Sequence, residues 1–192
     1  MNYNIDEIRA KFFKAMDGNN DYSIKDFDAE FKHTNHTAQP INTSKIGVKV
    51  INKSNNPDPE FQTEGSSGFD FRAHLENPVW LRGGDIKIIP TGLYFGLPQN
   101  TEIQVRPRSG LAAKHGITVL NSPGTIDSDY IGEIKIILIN HGKKGFEISN
   151  GERIAQGVIG AVMGKEFIEF EKVNTLDNTD RGSGGFGSTG LK

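Results

Sequence analysis

The stretch Leu93-Tyr94-Phe95-Gly96-Leu97-Pro98-Gln99-Asn100-Thr101-Glu102-Ile103-Gln104-Val105 decides the fold. Leu93, Phe95 and Leu97 alternate with other residues, Pro98 to Asn100 interrupt, and Ile103 and Val105 resume the alternation. A period of two places those apolar side chains on one face of an extended chain. Proline and asparagine supply the turn between two such strands. The same pattern recurs on both sides. Upstream, Ile46, Val48 and Val50 alternate. Downstream come residues 134–139 (Ile-Lys-Ile-Ile-Leu-Ile), Phe146 with Ile148, residues 154–159 and residues 167–170, all short and bounded by Gly, Pro, Asn or Asp. No long helix is needed between any two of them. Short strands at this spacing predict an all-β barrel or jelly roll rather than alternating βαβ units.

The 192 residues, 35% hydrophobic and 24% charged, suffice for one globular domain with an appendage. The absence of cysteine excludes a disulfide scaffold, thiolate metal sites and a cysteine nucleophile. A net charge of -2 argues against a protein that holds long nucleic-acid backbone, although a few placed cations would still bind a small polyanion such as a nucleotide. No apolar run approaches the roughly 20 residues needed to cross a bilayer. A cytoplasmic protein without membrane or nucleic-acid partners is expected, or one of the host-cell interior if its owner is a virus.

Glycine divides the chain. Of 23 glycines only Gly18 lies within residues 1–43. That segment instead carries two apolar clusters, Ile5, Ile8, Phe12, Phe13 and Met16, then Ile24, Phe27 and Phe31, whose steps of three and four predict short amphipathic helices. Residues 33–44 are polar and read as a linker. Three segments result: a helical extension and linker over 1–43, a β core over 44–172, and a glycine-rich, flexible arm over 173–192.

Five constellations carry chemistry. Ser66 to Ala73 sets Asp70 between Phe69 and Phe71, which as a strand would send the acid to one face and both rings to the core. Arg106-Pro107-Arg108-Ser109-Gly110-Leu111-Ala112 follows a strand and could converge guanidinium, hydroxyl and amide on one anion, or be a solvated polar turn. In Asn121 to Gly132, Pro-Gly makes a turn, and Asp127 and Asp129 share a face beside Tyr130 if the segment is extended. The pair suggests a general base next to a stacking ring, although acidic turn residues are commonly just solvated. Gly151 to Gly157 reads as a turn entering a strand. Arg181 to Gly190 is glycine-rich enough to cradle phosphate, but Ser188 stands where a P-loop lysine belongs and no helix can follow, so a Walker site is rejected. A plain spacer would have no use for Arg181 and Phe186.

In order and in spacing, the five constellations together resemble the five motifs of the homotrimeric dUTPase family, over roughly residues 44 to 190. The resemblance implies a jelly-roll-like β-barrel that assembles as a homotrimer with sites shared between subunits. It implies hydrolysis of dUTP to dUMP and pyrophosphate, with Mg²⁺ bridging the phosphates and water attacking the α-phosphorus, which limits uracil in DNA and supplies dUMP for thymidylate synthesis. It casts Asp127 as the residue that activates water and Asp70 as an outer-sphere partner of Mg²⁺ through bound water, a role suited to an ion that keeps part of its hydration shell. Arg108, Ser109 and Gly110 would take phosphate oxygens, with Gln156 ordering water and phosphate.

Asn121 and the backbone of Gly124, Thr125, Ile126 and Lys135 would pair with uracil, and Tyr130 would pack on the deoxyribose and exclude a 2′-hydroxyl. Arg181 would clamp phosphate, Phe186 would cover uracil, and the amides of Gly187 and Ser188 would reach the γ-phosphate. The sequence departs from the pattern at Ser67, Phe69, Phe71 and Lys135, the last at a position usually apolar. The related dCTP deaminases need a glutamate ten residues after the aspartate matched by Asp127, and Ile137 stands there. A binding or regulatory protein on the same fold is the alternative from another class.

The extension lies outside the resemblance and is expected to pack on the trimer or tether a partner protein. Residues 17–28 superficially follow a calcium-binding EF-hand loop, but Tyr22 replaces the turn glycine and Asp28 the bidentate glutamate. A helix, polar turn and helix is the preferred reading. His33 and His36 lack the further ligands a zinc pair would need.

Overall fold

The computed structural model describes residues 45–185 and residue 188. The helices expected in 1–43, the EF-hand-like stretch, His33 and His36, and also Phe186 and Gly187, lie outside the described residues. The strands in chain order are β1 (Lys49–Asn52), β2 (Phe69–Arg72), β3 (Val79–Leu81), β4 (Ile86–Pro90), β5 (Leu93–Gly96), β6 (Thr101–Arg106), β7 (Ile117–Val119), β8 (Gly124–Ile126), β9 (Lys135–Asn140), β10 (Phe146–Ile148) and β11 (Arg153–Ala161), with one helix, α1 (Ser109–His115), after β6. The described chain is all-β apart from that single helix of seven residues.

Every pairing is antiparallel. A four-stranded sheet runs β2-β11-β6-β8, a three-stranded sheet β4-β9-β7, and β1-β5 and β10-β3 form two ribbons. The stretch 93–105 yields β5 and β6 as expected, but the two strands separate: β5 pairs with β1, while β6 pairs with β11 and β8. The turn at 97–100 therefore carries the chain from one sheet to another. The alternation is realised in burial, with Leu93, Phe95, Ile103 and Val105 buried.

The core forms where the inward faces meet. Phe69, Phe71 and Phe95 stack with ring centroids 5.2 to 6.2 Å apart, and Ile134, Ile136, Leu138, Ile117, Leu81 and Ile148 fill the remainder. Burying each such side chain contributes about 1.5–3 kcal/mol. The buried Asn140 is satisfied by carbonyls: its Nδ2 donates to Leu81 O at 3.0 Å and Lys144 O at 2.9 Å.

Two local expectations are corrected. Residues 167–170, expected as a strand, form a turn and irregular chain, and Phe170 is 96% exposed. A short apolar run makes a strand only against a free sheet edge, and among the described residues none pairs with this one. No helix is expected after Arg108, yet residues 109–115 form α1. None of its residues is buried, so no apolar stripe announces it, and Gly116 in the left-handed region (φ 72°) ends it.

Candidate active site

The four-stranded sheet sets up the site by register. Gln156 on β11 lies opposite Asp70 on β2 and opposite Arg106 on β6, so the three residues form one row across three strands. Directly opposed residues share a face, and here it is the one opposite the core: Phe69, Phe71, Val105, Ala155 and Gly157 point inward. The row is therefore polar because of the period of two that builds the core.

Asp70 is the most buried charge of the row, with a side chain 9% exposed, and two guanidinium groups face it. Arg108 Nε lies 3.2 Å from Oδ1, and Arg153 Nη1 donates to Oδ2 at 3.3 Å. Arg108 also donates from Nη1 to the Arg153 carbonyl at 2.8 Å, which joins the start of α1 to β11. A register shift between Arg153 and Ala155 swings Arg153 toward Asp70. Two arginines, Arg108 and Arg153, thus flank a single carboxylate, and Arg106, held by Gln104 Oε1, lies two strands away at the end of the row. The surplus is positive and suits an anion. Ser109 and Gly110 open α1 beside Arg108, and both are exposed.

A second feature lies at the far edge of that sheet. Thr125, Ile126, Asp127, Tyr130, Glu133, Ile134 and Lys135 line an open pocket of about 310 Å³, at the lower end of the usual ligand-site range of about 300–1,000 Å³. The chain enters it along β8 and turns at once, the Tyr130 amide donating to Asp127 O at 3.1 Å. The segment is not extended beyond Ile126, so Asp127 and Asp129 do not share a face: Asp127 lines the pocket and Asp129 does not. Gly124 abuts the Asn121 side-chain amide, which places Asn121 at the start of β8.

Of the residues singled out from sequence, one chain thus brings together Thr125, Ile126, Asp127, Tyr130 and Lys135 in the pocket, and Asp70, Arg108 and Gln156 at the cationic row. It does not bring the two groups together. Three strand spacings separate β2 from β8, about 14 Å, and the pocket lining includes none of the row. In the arm, Arg181 Nε is bonded to Gly184 O at 2.9 Å and Ser188 N to Gly185 O at 3.0 Å. Sequence reasoning missed Arg153, which only the bulge aims at Asp70, and Glu133, which lines the pocket.

Among the described residues no three acidic or histidine side chains converge as a cage for a metal ion. Asp70 Oδ1 is buried without a hydrogen-bond partner, because the Arg108 N–H does not point at it. A carboxylate flanked by guanidinium groups is a poor inner-sphere ligand for Mg²⁺, and only an outer-sphere contact through water would suit it.

The all-β chain thus pairs an arginine-rich row suited to an anion with a compact pocket carrying a tyrosine and a carboxylate. A family model described as dUTPase matches residues 54–190, and the chain belongs to that family. It is 54% identical over 143 residues to the deoxyuridine 5′-triphosphate nucleotidohydrolase of Finegoldia magna, covering 74% of this chain and 98% of that one. It is 51% identical over 148 residues to that of Rickettsia felis, covering 77% and 98%. Among solved structures it is similar to the Staphylococcus bacteriophage 80alpha dUTPase with dUPNHPP, with a TM-score of 0.66, 25% identity, and coverage of 78% of this chain and 100% of that one.

Proposed function

We propose that this chain hydrolyses dUTP to dUMP and pyrophosphate, with Mg²⁺, by attack of water on the α-phosphate. The observation that carries the reading is the pocket of Thr125 to Lys135, with Asp127 on its wall, in a chain about half identical to deoxyuridine 5′-triphosphate nucleotidohydrolases over nearly their whole length. In this reading the hairpin backbone of Gly124, Thr125, Ile126 and Lys135, with Asn121, pairs with the polar edge of uracil. Tyr130 packs on the deoxyribose where a 2′-hydroxyl would need room.

Asp127 is the general base. It takes the proton of the attacking water while the oxygen bridging the α- and β-phosphates leaves with pyrophosphate. Arg108, with Ser109 and Gly110, holds phosphate oxygens and stabilises the charge that develops on them, and Gln156 orders water and phosphate. Asp70 would hold Mg²⁺ through its bound water, and the ion would supply neutralisation of the triphosphate charge. Arg181, Phe186, Gly187 and Ser188 close over the nucleotide and exclude bulk water.

The active unit in this proposal is a homotrimer. What supports it is uncovered apolar surface: the chain leaves Ile88, Phe170 and Leu176 exposed, the last at 87%. The row of one subunit then completes the pocket of another. No helix among the described residues is long and apolar enough to cross a membrane, and the proposed setting is the cytoplasm, or the interior of a host cell for a viral protein, with residues 1–43 binding a partner protein.

The test is pyrophosphate release from dUTP, dTTP, dCTP and UTP, each with Mg²⁺ and with EDTA. Metal-dependent turnover of dUTP alone is expected. Silence on all four from a folded trimer would overturn catalysis and favour a nucleotide-binding role.

A further inference from the structure

We infer that the surface where three turns meet, after β3, after α1 and after β9, binds single-stranded nucleic acid. Trp80 is its stacking platform for a base, and Arg82, Lys114, Lys143 and Lys144 are its cations for the backbone. The inference goes beyond dUTP hydrolysis and does not depend on it.

Close backbone approach holds the three turns together. A Cβ at Gly83 would lie 2.6 Å from Gly142 O and 3.7 Å from Lys143 Cα, and one at Gly116 would lie 2.6 Å from Gly142 N. The buried Asn140 fixes the third turn from below, since its Oδ1 accepts the Gly142 amide at 2.8 Å while its Nδ2 donates to Leu81 O and Lys144 O. The His141 amide donates to Gly116 O at 2.8 Å, and the His115 ring packs on Phe146 with centroids 4.9 Å apart. The cations are therefore carried on a fixed frame. Arg82, Lys114, Lys143 and Lys144 are exposed, as are His115 and His141, and among the described residues none of the four is ion-paired. The acids beside them are Asp85, whose Oδ2 accepts the Arg82 amide at 2.9 Å, and Glu147, opposite Trp80 on β10. A net charge of -2 over the whole chain thus averages away a surface that is locally cationic.

Trp80 indicates which polyanion fits. It is the one tryptophan of the chain and is 55% exposed. A Cβ at Gly145 would lie 2.5 to 2.7 Å from three of its indole atoms, so the ring rests against the Gly145 backbone, next to Lys144, and is in place before a ligand arrives. A ring that is already ordered loses little freedom on binding. Single-stranded nucleic acid meets both halves of this surface, because its unpaired bases offer faces to stack and its backbone needs cations. A duplex keeps its base faces covered. An acidic peptide would engage the lysines and leave the indole idle, and a lipid surface would need an apolar side chain that projects instead of lying on its own backbone.

The experiment titrates the full chain with an oligothymidylate of about 12 nucleotides and, in parallel, with inorganic polyphosphate, polyglutamate and phosphatidylserine vesicles. Tryptophan emission reports contact at Trp80, and the anisotropy of a labelled strand gives Kd. The oligothymidylate should quench the emission, and log K should fall with log salt at a slope of about -3, as four cations on a single strand allow. Trp80→Ala should weaken binding about tenfold through loss of stacking, and Trp80→Phe should restore most of it. Lys143→Gln with Lys144→Gln should make the slope shallower by about 1.4, and dUTP turnover should not change in any of these variants. If Trp80→Ala does not fold, the lysine pair carries the test. No binding of the strand at low salt, equal affinity in folded Trp80→Ala and the unaltered chain, or an unchanged slope in the lysine variant would overturn the inference. Tighter binding of polyglutamate or of the vesicles than of the strand would overturn it in favour of an acidic protein or a membrane.

Discussion

Asp70 Oδ1 lies 3.2 Å from Arg108 Nε without receiving its hydrogen. The two charges attract, but the buried oxygen keeps an acceptor site that no described group fills, while Oδ2 is taken by Arg153 at 3.3 Å. Burying a carboxylate oxygen unsatisfied costs free energy. The proposed reaction gives this acid a second duty, toward a hydrated Mg²⁺ through its water.

Asp70→Asn tests that relationship. The amide keeps the shape and removes the countercharge, leaving Arg108 and Arg153 face to face. Because Arg153 is 43% exposed, water screens part of the damage, and the expected cost is about 1–3 kcal/mol, or roughly 2–4 °C in Tm per kcal/mol for a chain of this size. The Mg²⁺ concentration for half-maximal turnover should rise. A calorimetric scan and a Mg²⁺ titration separate the two effects, and an unchanged Mg²⁺ midpoint would remove Asp70 from cation handling.

The row that holds Asp70 depends on a close approach behind it. A Cβ at Gly157 would lie 2.5 Å from Phe69 Cζ and 2.8 Å from Phe71 Cε2. Gly157→Ala should therefore force the rings or β11 to move, at about 1–3 kcal/mol, and should lower kcat/KM because Gln156 is the next residue. At Gly160, farther along the same strand, the nearest atom to a Cβ is 3.9 Å away. Gly160→Ala should be near neutral, within about 0.5–1 kcal/mol. Equal thermal stability of the two variants would show that the packing against Phe69 and Phe71 is not tight.

These examples show what was legible beforehand. The strands of 93–105 could be read because each buries one face, and period two records that fact residue by residue. The short apolar run of residues 167–170 misled, since a strand also needs an edge and no described segment pairs with it. Helix α1 left no trace because nothing on it is buried. Asp70, Asp127 and Tyr130 stood out through motif order. Arg153 and Glu133 did not, because a bulge and a turn 41 residues away give them their partners, and neither leaves a local pattern.

The arm gives a prediction independent of the core. Ending the chain after Asp180 removes Arg181 and the glycine-rich segment but none of the described strands. The truncated chain should keep its oligomeric mass by light scattering and its Tm within a few degrees, while kcat/KM for dUTP falls by about two orders of magnitude or more through loss of phosphate contacts and of closure. Full activity would refute the clamp.

In the proposed reaction Asp127 is the general base. Among the pocket-lining side chains the ionisable acids are Asp127 and Glu133, and Glu133 is engaged with Gly92 and Lys135. Asp127 is exposed, so its carboxylate is available to a water. Asp127→Asn preserves the size of the side chain and its hydrogen-bonding reach to a nucleotide but cannot accept the proton. General-base loss of this kind should lower kcat by about 10²–10⁴-fold, with dUTP affinity changed by less than about tenfold as read by calorimetry with the inert variant. That combination, tight binding with a failed chemical step, distinguishes a base from a binding residue, whose loss would raise Kd in step with the fall in kcat/KM. A variant that retains near-normal kcat would take Asp127 out of the mechanism and leave water activation to a group supplied from a neighbouring subunit.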